Sequence, residues 1–282
     1  MATILDTLKK GTEYLQRHGV DEARRNMEWL IAHVLKTDRM RLYVDFDRPL
    51  SEPQLSALRD LAKRRGQGEP LQHLLGTVEF CDLEFAVDSR ALIPRPETEE
   101  LVHLLLGRAW PDRVRILDLG CGSGVIGVSL AHHLAAKSPA VTLADISPEA
   151  LALSRENADR LLPDPSRVHL VESDLFSALN GETYDLIVAN LPYIPQSAET
   201  LLAREVQRDP ALALYGGEQG TEIMERFLSE ARAHLAPGGL VAMEFGIDQA
   251  PILRQQAEAS GLNPIETRKD LDGIERFLLV DS

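Results

Sequence analysis

Apolar positions change their spacing once along the chain. From Ile4 to about Leu75 they recur every three and four residues: Ile4, Leu5, Leu8 and Leu15, then Met27, Leu30, Ile31, Val34 and Leu35. That is the period of helices with one buried face. Asp21 stands where the second of these helices needs a cap, and Ser51 with Pro53 just inside opens another that carries Leu55, Leu58 and Leu61. Residues 1–75 are therefore predicted to form a small helical bundle. Thr77-Val-Glu-Phe80 and Leu83-Glu-Phe-Ala-Val87 then alternate with period two across a short break, which predicts a β-hairpin linker over 76–90. In Ile93-Pro-Arg-Pro-Glu-Thr-Glu99 two prolines keep the chain extended until Glu97-Thr98 lets a helix start.

Beyond about Val114 short apolar runs alternate with helical segments. Val114–Leu119, Ala140–Ala144, Val168–Val171 and Tyr184–Ala189 read as strands of a parallel sheet covered on both faces. Pro237-Gly-Gly239 turns the chain into Leu240–Phe245, and Glu275–Val280 is the last strand. The prediction for 91–282 is a doubly wound α/β domain, without internal repeats.

The net charge of −14 over 282 residues argues against a chain that grips nucleic-acid phosphates. Lys63-Arg64-Arg65 reads as a cationic last helical turn rather than a binding patch. No apolar run reaches the roughly 18 residues of a membrane span, and the amino end lacks signal-peptide features, so a cytoplasmic location is expected. Cys81 and Cys121 lie far apart outside any Cys-x-x-Cys pattern, and His132-His133 are adjacent rather than four apart. No disulfide framework and no metal site are expected.

Two motifs carry candidate chemistry. Gly122-x-Gly124-x-x-Gly127 fits a dinucleotide fingerprint, with Asp145 at the ribose distance. The strand ends at Leu119, however, so the pattern in register is Asp118-Leu-Gly120-Cys121-Gly122-Ser123-Gly124, a loop whose backbone approaches a nucleoside closely. Asp145 either binds ribose hydroxyls or caps the helix at Ser147-Pro-Glu, and Asp174-Leu175 follows the third strand where an adenine would lie. Asn190-Leu191-Pro192-Tyr193 ends a strand at the same sheet edge. It is either an ordinary turn or a pocket for a planar amino or amide group.

Together with His73-Leu-Leu-Gly76, Phe80, Leu92–Glu99, Asp174-Leu-Phe176, Ala211–Gly217 and Asp270–Arg276, these motifs resemble the peptide-chain release factor glutamine methyltransferases (PrmC/HemK), class I S-adenosylmethionine-dependent enzymes. The resemblance runs almost end to end. It implies a Rossmann-like, seven-stranded methyltransferase domain behind a helical domain that recognises the protein substrate. It implies S-adenosylmethionine at Asp118, Gly120, Cys121, Gly122, Ser123, Gly124, Asp145, Asp174, Leu175 and Asn190. The substrate would be the glutamine of the Gly-Gly-Gln motif of class-1 release factors, held by Asn190, Leu191, Pro192 and Tyr193 with Pro96 and Glu97 closing the site. The family usually has Pro where Leu191 stands, which removes one φ restraint and adds an N–H. Alternatives with the same residues are a ribosomal-protein glutamine, adenine's exocyclic amine, or a binding module that no longer transfers methyl groups.

Overall fold

The computed structural model describes residues 2–179 and 181–281, apart from the side chains of Glu199 and Leu201. It contains two compact units, Met1–Gly76 with Ala203–Arg208, and Thr77–Leu202 with Asp209–Ser282. The hairpin expected as a linker thus clusters with the second unit.

In the first unit, helices α1 (Ile4–Arg17), α2 (Ala23–Leu35), α3 (Arg39–Val44), α4 (Glu52–Gly66) and α5 (Leu71–Leu75) enclose Ile4, Leu8, Leu15, Met27, Leu30, Ile31 and Leu58. Thr3 and Asp6 cap α1 reciprocally: the Asp6 N–H donates to Thr3 Oγ1 and the Thr3 N–H to Asp6 Oδ2, both at 3.1 Å. At α4 the Gln54 side-chain Oε1 accepts from the Ser51 N–H at 2.9 Å. The expected Asp21 cap does not form. Glu22 occupies the cap position with φ of 46°, and Asn26 Nδ2 reaches back to the Asp21 carbonyl at 3.1 Å. Of the basic triplet, Arg65 is buried, donating to Asn26 Oδ1 at 2.7 Å and to Glu205, while Arg64 pairs with Glu69. Two of its three charges are thus used within the unit.

The second unit opens with the hairpin β1 (Thr77–Phe80) and β2 (Leu83–Ala86), whose turn residues Cys81 and Asp82 are both left-handed, at φ of 48° and 60°. Helix α6 (Pro96–Leu106) begins at Pro96, one residue before the predicted start, because a proline's missing N–H and fixed φ suit the first helical position. Then follow β3 (Arg115–Leu119), α7 (Val125–His133), β4 (Ala140–Asp145), α8 (Pro148–Leu161), β5 (Val168–Glu172), β6 (Tyr184–Asn190), β7 (Ile194–Pro195) and β8 (Tyr215–Gly217). The chain ends through α9 (Glu222–Ala231), β9 (Leu235–Glu244), α10 (Ala250–Ala259), β10 (Asn263–Lys269) and β11 (Glu275–Asp281).

The main sheet has seven strands in the order β10-β11-β9-β6-β3-β4-β5, antiparallel where β11 joins β10 and β9 and parallel elsewhere. Successive residues of a strand face opposite sides. Ile116, Leu186 and Val188 pack into one core with α6 and α7, and Leu117, Ile187 and Ala189 into another with α9 and α10. Pro237-Gly-Gly239 does not precede β9 but lies within it as a bulge, where the pairing jumps from Tyr184–Leu235 to Leu186–Leu240. β3 has β4 on one side and β6 on the other, so strand order reverses there and opens a crevice at the carboxyl ends.

Candidate active site

Parallel register brings the ends of the strands level. Leu119 pairs with Ala144 and Ala189, Asp145 with Glu172, and Asn190 with Glu244. Above this edge lies a cavity of about 210 Å³. Its lining brings together Gly120, Cys121, Gly122, Ser123, Asp145, Asp174, Leu175, Asn190, Leu191 and Pro192 from the sequence motifs, and adds Pro94, Arg95, Thr98, Pro210 and Leu212. Asp118, Gly124, Pro96, Glu97 and Tyr193 are not among the lining residues.

The glycine loop is shaped from below. Asp118, fully buried, accepts the Gly127 N–H at 2.8 Å through Oδ2, while Oδ1 has no hydrogen-bond partner among the described residues. Asp145 Oδ2 accepts the Gly122 N–H at 2.8 Å and Oδ1 the Ser147 N–H at 2.9 Å. Ser147, rather than Asp145, caps α8, its Oγ accepting from the Ala150 N–H at 3.2 Å. Gly120 has φ of 72°, and a Cβ there would stand 2.8 Å from Leu191 Cδ2. The Leu191 side chain is buried across this glycine, so it anchors the second motif by packing where a proline would restrain φ.

Leu175 adopts φ of 49°, a conformation that costs a branched residue on the order of 1 kcal/mol. Ser173 holds it there: its hydroxyl donates to the Leu175 carbonyl at 2.6 Å and accepts from the Ala178 N–H at 3.1 Å. The result is a buried apolar side chain at the cavity wall. Asp174 faces Arg226, whose Nη2 lies 3.3 Å from both carboxylate oxygens.

At the other motif, Asn190 Nδ2 donates to Thr98 Oγ1 at 2.9 Å, and the Thr98 hydroxyl donates to Glu244 Oε2 at 2.7 Å. Thr98 and Glu244 are 2% and 1% exposed, so this is an interior network. Tyr193 packs against the second core, its carbonyl accepting from Gln249 Nε2 at 3.0 Å. Burial pushes its phenol up to about 12. Arg95 donates to Asp209 at 2.9 Å, joining the proline-rich segment to the loop carrying Pro210 and Leu212.

Several supporting residues escaped the sequence reading. Asn157 on α8 accepts the Ala86 N–H at 2.8 Å and donates to the Ala86 and Ser123 carbonyls, clamping the hairpin to the glycine loop. Ser154 donates to the Gly122 carbonyl at 2.7 Å. Their signal was present: two polar residues three apart on the apolar stripe of Leu151, Ala158 and Leu161. Glu99 and His103, four apart on α6, come within 4.8 Å of Cys81 through their ligand atoms. This group has metal-ligand chemistry that the sequence reading did not find. None of the three lines the cavity, and burial with the Glu99 charge pushes the Cys81 thiol up to about 12.

Desolvation raises the carboxyls of Asp118 and Glu244 to about 7, against the opposing hydrogen bonds from Gly127 and Thr98. Unfolded carboxyls titrate near pH 4, so between about pH 4 and about 7 these two groups hold more protons in the folded chain than in the unfolded one. The contribution of these two groups to stability therefore falls as pH rises through that window and levels off above it. Urea unfolding at pH 5, 6, 7 and 8 should show a shallower loss in Asp118→Asn than in the parent; an unchanged slope would exclude Asp118 as a titrating group.

Both units have counterparts elsewhere. Residues 6–76 match the family described as PrmC N-terminal domain, and residues 98–215 the family described as Methyltransferase small domain. The Release factor glutamine methyltransferase of Geobacter sulfurreducens is 41% identical over 277 residues, covering 98% of this chain and 95% of that one. Its namesake from Deinococcus radiodurans is 38% identical over 274 residues, covering 97% and 96%. A solved methyltransferase from Pyrococcus furiosus shares the fold at a TM-score of 0.52 and 20% identity, over 70% of this chain and 88% of that one. Because the likeness runs through the helical unit, the glycine loop and the Asn190 motif alike, the chain belongs to the release factor glutamine methyltransferase family.

Proposed function

We propose that the protein transfers the methyl group of S-adenosylmethionine to the side-chain amide nitrogen of the glutamine in the Gly-Gly-Gln motif of class-1 peptide-chain release factors, in the cytoplasm. The observation that carries this reading is the Asn190 carboxamide, fixed by its nitrogen at the edge of a cavity that the glycine loop also lines. The residues fit the cofactor. Asp145 offers carboxylate acceptors for ribose, Leu175 an apolar wall for adenine, and the Gly120 to Gly122 backbone close approach for the methionine portion. Asp145, at the cavity wall with its carboxyl raised by burial, would regain its charge more readily beside a ligand that brings positive charge.

When bound, S-adenosylmethionine supplies a methyl group activated by a positive sulfur. The residues of the chain deal with the other reactant, because an amide nitrogen is a poor nucleophile whose lone pair is delocalised into its carbonyl. Asn190 Oδ1 and the Leu191 carbonyl accept the two N–H groups of the glutamine amide, fixing the nitrogen and favouring the form with more electron density on it. Pro192 keeps the backbone between them stiff. Positioning of this kind is worth on the order of 7 to 11 kcal/mol, so no strong general base is needed before transfer. Tyr193, partly buried against the second core, completes the motif, and its ring would pack against the amide plane. In the helical unit, Met40, Tyr43, Val44 and Phe46 expose apolar surface suited to a folded protein partner, and the net charge of −14 favours such a partner over nucleic acid.

Incubation with labelled S-adenosylmethionine and, separately, a class-1 release factor, ribosomal proteins, and adenine-containing DNA or RNA distinguishes the substrate classes. Label should enter the release factor alone. Preferential label in ribosomal protein or nucleic acid would overturn the assignment.

A further inference from the structure

The Asn190 carboxamide has two ends of similar shape and opposite hydrogen-bonding character, and only the oxygen end can accept from a substrate N–H. We propose that Thr98 and Glu244 are positioning residues that select the reactive end of Asn190; the inference rests on the reading of Asn190 as the acceptor for the glutamine amide. A threonine hydroxyl has one hydrogen. Because that hydrogen goes to Glu244 Oε2 at 2.7 Å, Thr98 Oγ1 has only lone pairs left for Asn190, 2.9 Å away. The nitrogen end of the amide must therefore turn towards Thr98, which leaves Oδ1 for the cavity.

Three elements converge to build this chain. Asn190 and Glu244 are the paired last residues of β6 and β9, and Thr98 lies in the first turn of α6. The threonine and the glutamate are almost wholly buried, so neither can exchange its partner for water. A carboxylate buried beside an amide is otherwise a costly choice for the end of a parallel strand. Its use here is its fixed polarity: an ionised carboxylate only accepts.

Protonation reverses that polarity. A protonated Glu244 donates to Thr98, frees the hydroxyl hydrogen for Asn190 Oδ1, and lets the amide turn its NH2 group to the substrate, where donor meets donor. The groups acting on Glu244 are Glu97 and Arg95 beside Thr98, Arg276 on β11, and Tyr193 after β6. Glu97 opposes ionisation and the two arginines favour it. Turnover should therefore rise with pH as Glu244 ionises, through about 7, and then level.

The test uses the full chain, labelled S-adenosylmethionine and a class-1 release factor between pH 5.5 and 8.5, with cofactor affinity followed by calorimetry. Thr98→Val should lower kcat about tenfold to a hundredfold with little change in cofactor affinity or KM, and Thr98→Ser should restore most of it. Thr98→Val and Glu244→Gln should both lose the acid limb of the pH profile, whereas Thr98→Ser keeps it. If Thr98→Val no longer binds cofactor, Glu244→Gln decides by its pH profile. Parent-like kcat and an unchanged acid limb in these variants, with Asn190→Ala inactive, would overturn the inference. Full activity in Asn190→Ala would instead overturn the reading of the site itself.

Discussion

Replacing Asn190 by alanine should lower turnover on a release factor by about a hundredfold to a thousandfold while leaving S-adenosylmethionine affinity within a few-fold. The side chain supplies one of two acceptors for the glutamine amide, and it is not free to be replaced by water, because Thr98 holds its nitrogen at 2.9 Å. Its removal deletes that acceptor and also leaves the Thr98 hydroxyl without its donor. Most of the cavity lining, including Gly120, Gly122, Asp145 and Leu175, is untouched by the change, so cofactor binding should survive. Single-turnover kinetics beside calorimetry separate the two effects. A matching loss in cofactor affinity would assign Asn190 to cofactor binding rather than to the substrate.

The second large effect is expected at Gly216, 24 positions beyond Pro192 in the chain but packed against it. A Cβ there would meet the Gly220 carbonyl oxygen at 2.5 Å and the Pro192 carbonyl oxygen more closely still. Both are backbone atoms and cannot swing aside as a flexible side chain would. The Pro192 segment is also tied to the strand that carries Gly216, because Ile194 of β7 pairs with Tyr215 of β8. Gly216→Ala must therefore displace the Asn190 to Tyr193 segment. A displacement near 1 Å costs about a hundredfold in a reaction governed by positioning. The same strain should lower stability by about 2 kcal/mol, visible as a reduced thermal midpoint. Turnover at the parental rate would show that the motif tolerates movement and that positioning is not what it contributes.

What the sequence disclosed follows physical lines. β3, β4, β6 and β11 are short apolar runs because their strands are buried on both faces, and Asn190 is visible as a polar residue closing such a run. β10 was missed because Asn-Pro-Ile-Glu-Thr-Arg-Lys is a half-exposed edge strand, polar and carrying a proline, so its apolar signal is weak. Asp21 looked like a cap, but the left-handed Glu22 moved that role off its side chain. Tertiary register decided the rest. Thr98 and Glu244 lie 146 positions apart and meet only because α6 packs at the ends of β6 and β9. Gly216 acquires its role from a backbone 24 positions upstream. The grouping of Ala203–Arg208 with the helical unit likewise has no local sign.

The most direct test of the account is to expose an unmethylated class-1 release factor to the protein and methyl-labelled S-adenosylmethionine, beside a copy whose Gly-Gly-Gln glutamine is replaced, and to locate the label by mass spectrometry. The account predicts one methyl group on that glutamine's side-chain amide and none on the replaced copy, which would also show that Leu191 serves where the family usually has proline. Label on another residue, or equal label on both copies, would contradict it.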